Sequence, residues 1–366
     1  MSIKFPARLG LQQRVLPSYR VPFFDMLASA CEGGMSLFAG QARAVESIAS
    51  GELQVAEYVP AQNIHLLNGP LYFCYQRGFL DWLSDWNPDA LIVEANPRYL
   101  STPAAIKWIQ RRGRPVIGWG LGAPPPTGSP HFLRKWGERK RGAFLNRFDG
   151  LIAYSQRGAD EYAAFGFPRE KIFVAHNAVS AAPTASSDRR PKTIDRVNIL
   201  FVGRLQARKR IASLLRACAE MTSAPRLVIV GDGPERENLE AVAKQVYPSA
   251  EFIGAKHGDE LKPYFAEADL FVLPGTGGLA VQEAMSHGLP VIVAKGDGTQ
   301  DDLVRAENGW QIPPGDYEAL VSTMRDALSD VARLRKMGEE AYRIVSQEIN
   351  LEKMVEAFVR ALNSVS

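Results

Sequence analysis

The stretch DLFVLPGTGGLAVQEAMSHGLPVIVA, Asp269 to Ala294, reads as strand, loop, helix and strand in succession. Leu270–Leu273 and Val291–Ala294 are short apolar runs without alternation, as in strands buried on both faces. The helix between them stops at Gly288 and Pro290. Strands joined through a crossover helix run parallel, so this stretch makes the chain an α/β protein. At the carboxyl end of the first strand Gly275, Thr276, Gly277, Gly278 and Leu279 lead into the helix, and a single carboxylate, Glu283, follows in about its first turn. Helical side chains lean toward the N-terminus, so Glu283 can reach whatever the glycines expose. The alternative is that it only complements the helix dipole.

Working outward, the same alternation continues through VNILFVG (197–203), RLVIVG (226–231) and AEFIGA (250–255). Ahead of it a looser series offers QQRVL, MSLFA, ALIVEA (90–95), PVIGW (115–119), LIAYS (151–155) and IFVAH (172–176) as strands. Between the two series, SAAPTASSDRRPKTIDR (180–196) is rich in Ser, Ala, Pro and charge and has no apolar period. The expected division is an N-terminal domain at 1–180, a linker at 181–196, a second domain at 197–345 and a C-terminal helix within 346–366. In that last segment Leu351, Met354, Val355, Phe358, Leu362 and Val365 share one face, compatible with a helix that packs back on the N-terminal domain.

A chain of 366 residues exceeds one ordinary core, and 46% apolar with 23% charged residues excludes disorder. Balance between 43 basic and 40 acidic residues gives no nucleic-acid signature. Cys31, Cys74 and Cys218 stand singly in apolar surroundings, as reduced thiols do. There is no Asp-x-Asp pair or His/Asp cluster at a loop, so neither metal nor cofactor is expected. Without a signal-like start or a run near the roughly 20 apolar residues of a membrane span, the expected location is the cytoplasm.

In open parallel sheets, ligands bind beyond the carboxyl ends of the strands. There the second half offers four loops. After Gly203 come Arg204 and Lys209, two cations that suit a diphosphate, or are merely solvated. Gly231 and Gly233 make a tight turn, and Phe252, Ile253 and Gly254 lead into another; each is explicable as a bare turn. The glycine loop before Glu283 is the fourth.

In order and spacing, VGRLxxxK, VGDGP, FIG…DEL…YFAEADLFVLP, GGLAVQEAMSHGLPVI and ENGWQIPPGD closely resemble the nucleotide-sugar-binding half of the retaining GT-B glycosyltransferases of group 1, family 4 type. The match spans about residues 197–345; LPSYRVPFFDML and YSQRGADEYAAFGFPREKIFVAHNAV match more loosely before the linker. The resemblance implies two Rossmann-like open parallel α/β domains facing a central cleft. It implies that Arg204 and Lys209 neutralise the donor diphosphate and that Glu283, second acid of the Glu-x7-Glu motif, holds the ribose hydroxyls. Backbone amides of the Gly275–Leu279 loop would face the diphosphate and sugar, with Gly203, Gly231, Gly233, Phe252 and Ile253 around the nucleotide.

Where the family has the first acid of that motif, this chain has Gly275. LPSYR replaces the family's N-terminal glycine pair, and VIGWGLGAPPP lacks its acceptor-domain histidine. Tyr19, Arg20 and Trp119 are therefore the acceptor-side candidates, with Trp119 read as a sugar-stacking residue at a loop. The basic, aromatic stretch 131–148 reads equally as a segment lying on an anionic bilayer and as a solvated helix with its aromatics in the core. The expected activity is metal-independent transfer, with retention, of a hexose or deoxyhexose from a nucleotide diphosphate sugar. The acceptor is a saccharide or lipid-linked saccharide in surface polysaccharide synthesis (lipopolysaccharide, capsule or exopolysaccharide), in the cytoplasm or at the inner face of the membrane. The alternatives are a non-catalytic nucleotide-sugar-binding protein, motivated by Gly275, and a sugar-nucleotide epimerase of GT-B fold.

Overall fold

Short apolar runs separated by amphipathic helices can be buried on both faces only as the middle layer of an α/β/α sandwich, and the computed structural model forms two such layers. It describes residues 3–43, 46, 48–123, 131–183, 196–275, 279–296 and 298–366, with side chains undescribed at Pro70 and residues 131–136. The chain divides into one unit of Met1–Val179 with Leu351–Ser366 and a second of Ser180–Asn350.

In chain order the first unit holds β1 (Leu9–Val15), α1 (Val21–Ser29), β2 (Met35–Gly40), β3 (Glu57–Leu66), β4 (Phe73–Arg77), α2 (Phe79–Trp86), β5 (Ala90–Glu94), α3 (Thr102–Gln110), β6 (Val116–Gly120), α4 (His131–Leu145), β7 (Gly150–Ala153), α5 (Gln156–Ala164) and β8 (Ile172–Val174). Its sheet runs β4-β3-β2-β1-β5-β6-β7-β8, parallel except for the antiparallel β3–β4 pair. That hairpin is absent from the sequence reading. Pro60 sits within β3 and the outward residues Ile64 and Leu66 stay exposed, so no buried apolar run marks it.

The second unit holds β9 (Asn198–Val202), α6 (Ile211–Ala219), β10 (Arg226–Val230), α7 (Arg236–Val246), β11 (Glu251–Gly254), α8 (Lys262–Glu267), β12 (Leu270–Leu273), α9 (Ala280–Ser286), β13 (Val291–Ala294), β14 (Gly309–Ile312), α10 (Tyr317–Leu328) and α11 (Val331–Gln347). All pairs in its sheet, β11-β10-β9-β12-β13-β14, are parallel. The order reverses between β9 and β12, the kind of switch point at which loops diverge and leave room for a ligand. Buried Phe201, Phe265 and Phe271 fill the core beside the sheet. This unit runs past residue 345 because Ile349 belongs to its core and accepts a hydrogen bond from Gln282 Nε2 at 2.8 Å through its carbonyl.

The last helix, α12 (Leu351–Val365), belongs to the first unit. Its apolar face lies against α1, with the Phe358 ring 4.9 Å from Phe23 and 4.9 Å from Trp119. Asn363 Nδ2 adds a 3.0 Å hydrogen bond to the Lys4 carbonyl. No helix among the described residues is long and apolar enough to cross a membrane.

Candidate functional site

Three strand-to-helix loops of the second unit are strapped together by main-chain hydrogen bonds. The Gly203 amide donates to the Val230 carbonyl at 3.0 Å, Leu205 to Asp232 at 2.9 Å and Gly231 to Gly254 at 2.8 Å. Contact this close leaves no room for side chains at the two turn glycines. A Cβ on Gly231 would lie 2.0 Å from the Gly203 oxygen, and one on Gly233 would lie 2.4 Å from the Leu205 oxygen. These glycines are thus required by loop-on-loop packing, whatever binds there. Phe252 and Ile253 lie half-buried in β11 beside this edge.

The cationic loop after β9 makes a single 3-10 turn at Ala207–Lys209 before α6 begins. Arg204 is exposed, whereas Lys209 is only 6% exposed, so the alternative of a merely solvated loop cation does not describe Lys209. Burial, with Arg208 adding like charge, lowers the Lys209 ammonium to about 8. A lysine so placed holds its proton less tightly than an exposed one.

Gly275 abuts this turn: a Cβ there would lie 2.1 Å from the Arg208 oxygen and 2.4 Å from the Lys209 Cα. The missing first acid therefore has a steric counterpart, since the main chain carrying Lys209 occupies the space any side chain would need. Thr276, Gly277 and Gly278 lie outside the described residues. Beyond them Leu279 is exposed at the start of α9, and Glu283 is half-buried in its first turn. Burial raises the Glu283 carboxyl above its usual range, so a hydroxyl or amide donor arriving at it would be favoured. The structure thus gathers Gly203, Arg204, Lys209, Gly231, Gly233, Phe252, Ile253, Gly275, Leu279 and Glu283 at one carboxyl edge of one sheet, flanking β9–β12.

The acceptor-side candidates fall in the first unit, and two of them are buried. Trp119 is 1% exposed and sits inside β6, not in a loop. Phe23, Phe24, Tyr154 and Phe358 surround its ring, so stacking on a sugar is ruled out and the sequence expectation is corrected. Arg20, 5% exposed, lies over the Tyr19, Phe23, Trp119 and Tyr154 rings and donates to Asn177 Oδ1 and, at 3.4 Å, to the Ala178 carbonyl. It ties the β8 exit to the aromatic core. Tyr19 is exposed. In α4, Phe144 and the following Phe148 are buried in mutual contact, so these two aromatics belong to the core and are unavailable to a bilayer; the loop 124–130 and the side chains of 131–136 lie outside the described residues.

Sequence reasoning passed over Glu94. It ends β5, lines a cavity of about 450 Å³ and accepts a 2.5 Å hydrogen bond from the Arg14 amide. Burial raises its carboxyl to about 7. The available signal was a carboxylate closing an otherwise apolar strand, ALIVE. Among the described residues no group of three or more His, Cys, Asp or Glu side chains could hold a metal ion.

Two family models match the chain, "Glycosyl transferases group 1" over residues 185–344 and "Glycosyltransferase Family 4" over residues 39–182. Among curated proteins, the lipopolysaccharide core biosynthesis glycosyltransferase LpsE of Rhizobium meliloti is 24% identical over 299 residues, 77% of this chain and 87% of that protein. A GDP-mannose-dependent alpha-mannosyltransferase of Mycobacterium tuberculosis is 36% identical over 177 residues, 46% of this chain and 45% of its own length. Among solved structures, HepE of Anabaena in complex with UDP superposes with a TM-score of 0.70 at 19% identity, covering 98% of this chain and 99% of that one.

Proposed function

Because the chain belongs to the group 1 glycosyltransferases of GT-B fold, we propose that it moves a hexose or deoxyhexose from a nucleotide diphosphate sugar onto a saccharide or lipid-linked saccharide. In this reading the reaction retains anomeric configuration, needs no metal and contributes to surface polysaccharide assembly on the cytoplasmic side of the membrane. The lipopolysaccharide role of LpsE supports the last part. The observation that carries the proposal is Lys209, a buried cation held in a tight turn at the sheet's carboxyl edge beside the glycine loops.

A diphosphate arriving there would favour the charged ammonium further, because the ion pair offsets the cost of burial. Arg204 supplies a second, exposed cation. As the bond from the sugar's anomeric carbon to the phosphate oxygen breaks, the leaving diphosphate gains charge, and cations already in place lower that barrier. The new bond forms to an acceptor hydroxyl oxygen, whose proton passes to the departing phosphate, so no protein base is required. Glu283, half-buried in the first turn of α9, would orient the ribose by accepting from its hydroxyls.

The test is a panel of nucleotide diphosphate sugars read by thermal shift, then by product analysis with Lys209→Met and Glu283→Ala. Binding and turnover that both variants abolish support the transferase. Gly275 favours a second reading, a nucleotide-sugar-binding protein, and tight donor binding without turnover on any saccharide acceptor would establish that instead. An epimerised free nucleotide sugar formed without acceptor would overturn both.

A further inference from the structure

Arg210, the residue after Lys209, has φ +55°, in the left-handed region where a side chain crowds its own backbone. It ends the 3-10 turn Ala207–Lys209, its amide donating to the Ala207 carbonyl at 3.1 Å. It also opens α6, its carbonyl accepting from the Ser213 amide at 3.0 Å, while its side chain gives that helix no cap. Right-handed backbone at this position would run the turn straight into α6 as one helix. At about 100° per residue, Lys209 would then lie about 160° around the axis from Ile211 and stand in solvent, opposite the face on which Ile211, Leu214, Leu215 and Cys218 are buried. One left-handed residue breaks that helix. Lys209 is 6% exposed, while Arg208 and Arg210 on either side of it are exposed.

The Arg210 side chain has a place of its own. The loop between β14 and α10 passes it at Gly315, where a Cβ would lie 2.7 Å from Nη2 and 2.9 Å from Cζ of Arg210. The turn that carries Lys209 thus meets two loops through glycines, Gly275 against its main chain and Gly315 against the arginine that follows.

We propose that Arg210 is a positioning residue for the transfer reaction, its left-handed backbone turning Lys209 inward to meet the donor diphosphate. The proposal rests on the reading of Lys209 as the diphosphate cation. Arg210 acts here through its main chain and not through its charge. Residues that accept left-handed backbone should therefore keep Lys209 in place, and a β-branched residue should not.

The experiment compares the full chain with Arg210→Gly, Arg210→Asn, Arg210→Ala and Arg210→Val. Calorimetry gives the affinities for UDP and GDP, and carbon-13 NMR of labelled lysine, assigned with Lys209→Met, follows the Lys209 titration. Arg210→Gly and Arg210→Asn should bind nucleotide as the wild type does and keep Lys209 titrating near 8. Arg210→Val should bind about tenfold more weakly, the cost of a branched residue in left-handed backbone. Its Lys209 should titrate well above 8, because a lysine released to solvent escapes the burial that depresses it. Arg210→Ala should show the same trend at about threefold, and it decides the matter if Arg210→Val does not fold. Wild-type affinity and titration in Arg210→Ala and Arg210→Val overturn the proposal. Arg210→Gly as weak as Arg210→Val also overturns it, since the guanidinium would then be the active part. A lower unfolding midpoint in Arg210→Val without any movement of the Lys209 titration marks a merely structural residue and overturns it too. If the wild type binds neither nucleotide, the diphosphate reading of Lys209 fails, and the NMR titration by itself upholds or overturns the role of the Arg210 backbone.

Discussion

Replacing Gly275 with alanine adds one methyl group where the glycine loop touches the turn that carries Lys209. The new Cβ would sit 2.1 Å from the Arg208 oxygen and 2.4 Å from the Lys209 Cα. Ordinary contacts between carbon atoms lie at about 3.5–4.0 Å, so the two main-chain segments must separate by roughly 1 Å. Overpacking of this kind costs about 1–3 kcal/mol, and backbone on both sides puts Gly275→Ala near about 3. In a unit the size of Ser180–Asn350 each kcal/mol lowers the midpoint by about 2–4 °C, giving about 6–12 °C by scanning calorimetry. Displacing the turn by about 1 Å should also reduce turnover by about 100-fold. Gly275→Glu, which supplies the acid usual in the family, should do no better, since the same Cβ collides first. Gly137→Ala is the control: its Cβ meets nothing within 4 Å in the helix, so it should stabilise by about 0.5–1 kcal/mol. A Gly275→Ala protein with the parental midpoint and turnover would refute the steric account.

Donor affinity measured by calorimetry should fall as pH rises through about 8, with proton uptake on binding, because Lys209 must be charged to meet the diphosphate. Its folded pKa is depressed below the usual 10.5, so between about 8 and 10.5 the unfolded chain holds more protons and the Lys209 contribution to stability rises with pH. Lys209→Met should abolish both trends. Trp119→Ala should cost the first unit about 3–5 kcal/mol in urea titration, whereas a stable fold with only a higher acceptor KM would restore the sugar-stacking role. Phe358→Ala, which removes the ring wedged between Phe23 and Trp119, should cost a similar amount, read from the same titration as loss of first-unit structure.

The second sheet was legible because its strands are buried on both faces and therefore write themselves as uninterrupted apolar runs, from NILFV through VIVA. β14 was read only as part of a motif, since GWQI is short and alternates little. The β3–β4 hairpin escaped because one of its faces meets solvent and Pro60 sits within it. At the site, the loops and their glycines could be located from sequence, but the depth of Lys209 could not. That depth depends on Gly275, 66 residues away, packing against its backbone. Trp119 was misread for a similar reason: the neighbours that bury it include Phe358, which only the folded chain brings to β6. Glu94 stayed unnoticed because a carboxylate at a strand end is ordinary; only the folded chain forms the cavity it lines.

The placement of α12 sets an order of events during synthesis. The second unit is one continuous segment, Ser180–Asn350, and can close on itself as soon as it leaves the ribosome. The first unit begins earlier but waits for Leu351–Val365, because the cluster around Phe23 and Trp119 lacks a wall until Phe358 arrives. Until α12 docks, the earlier half of the chain carries an open apolar surface around Phe23 and Trp119. That interval is when a chaperone has something to hold.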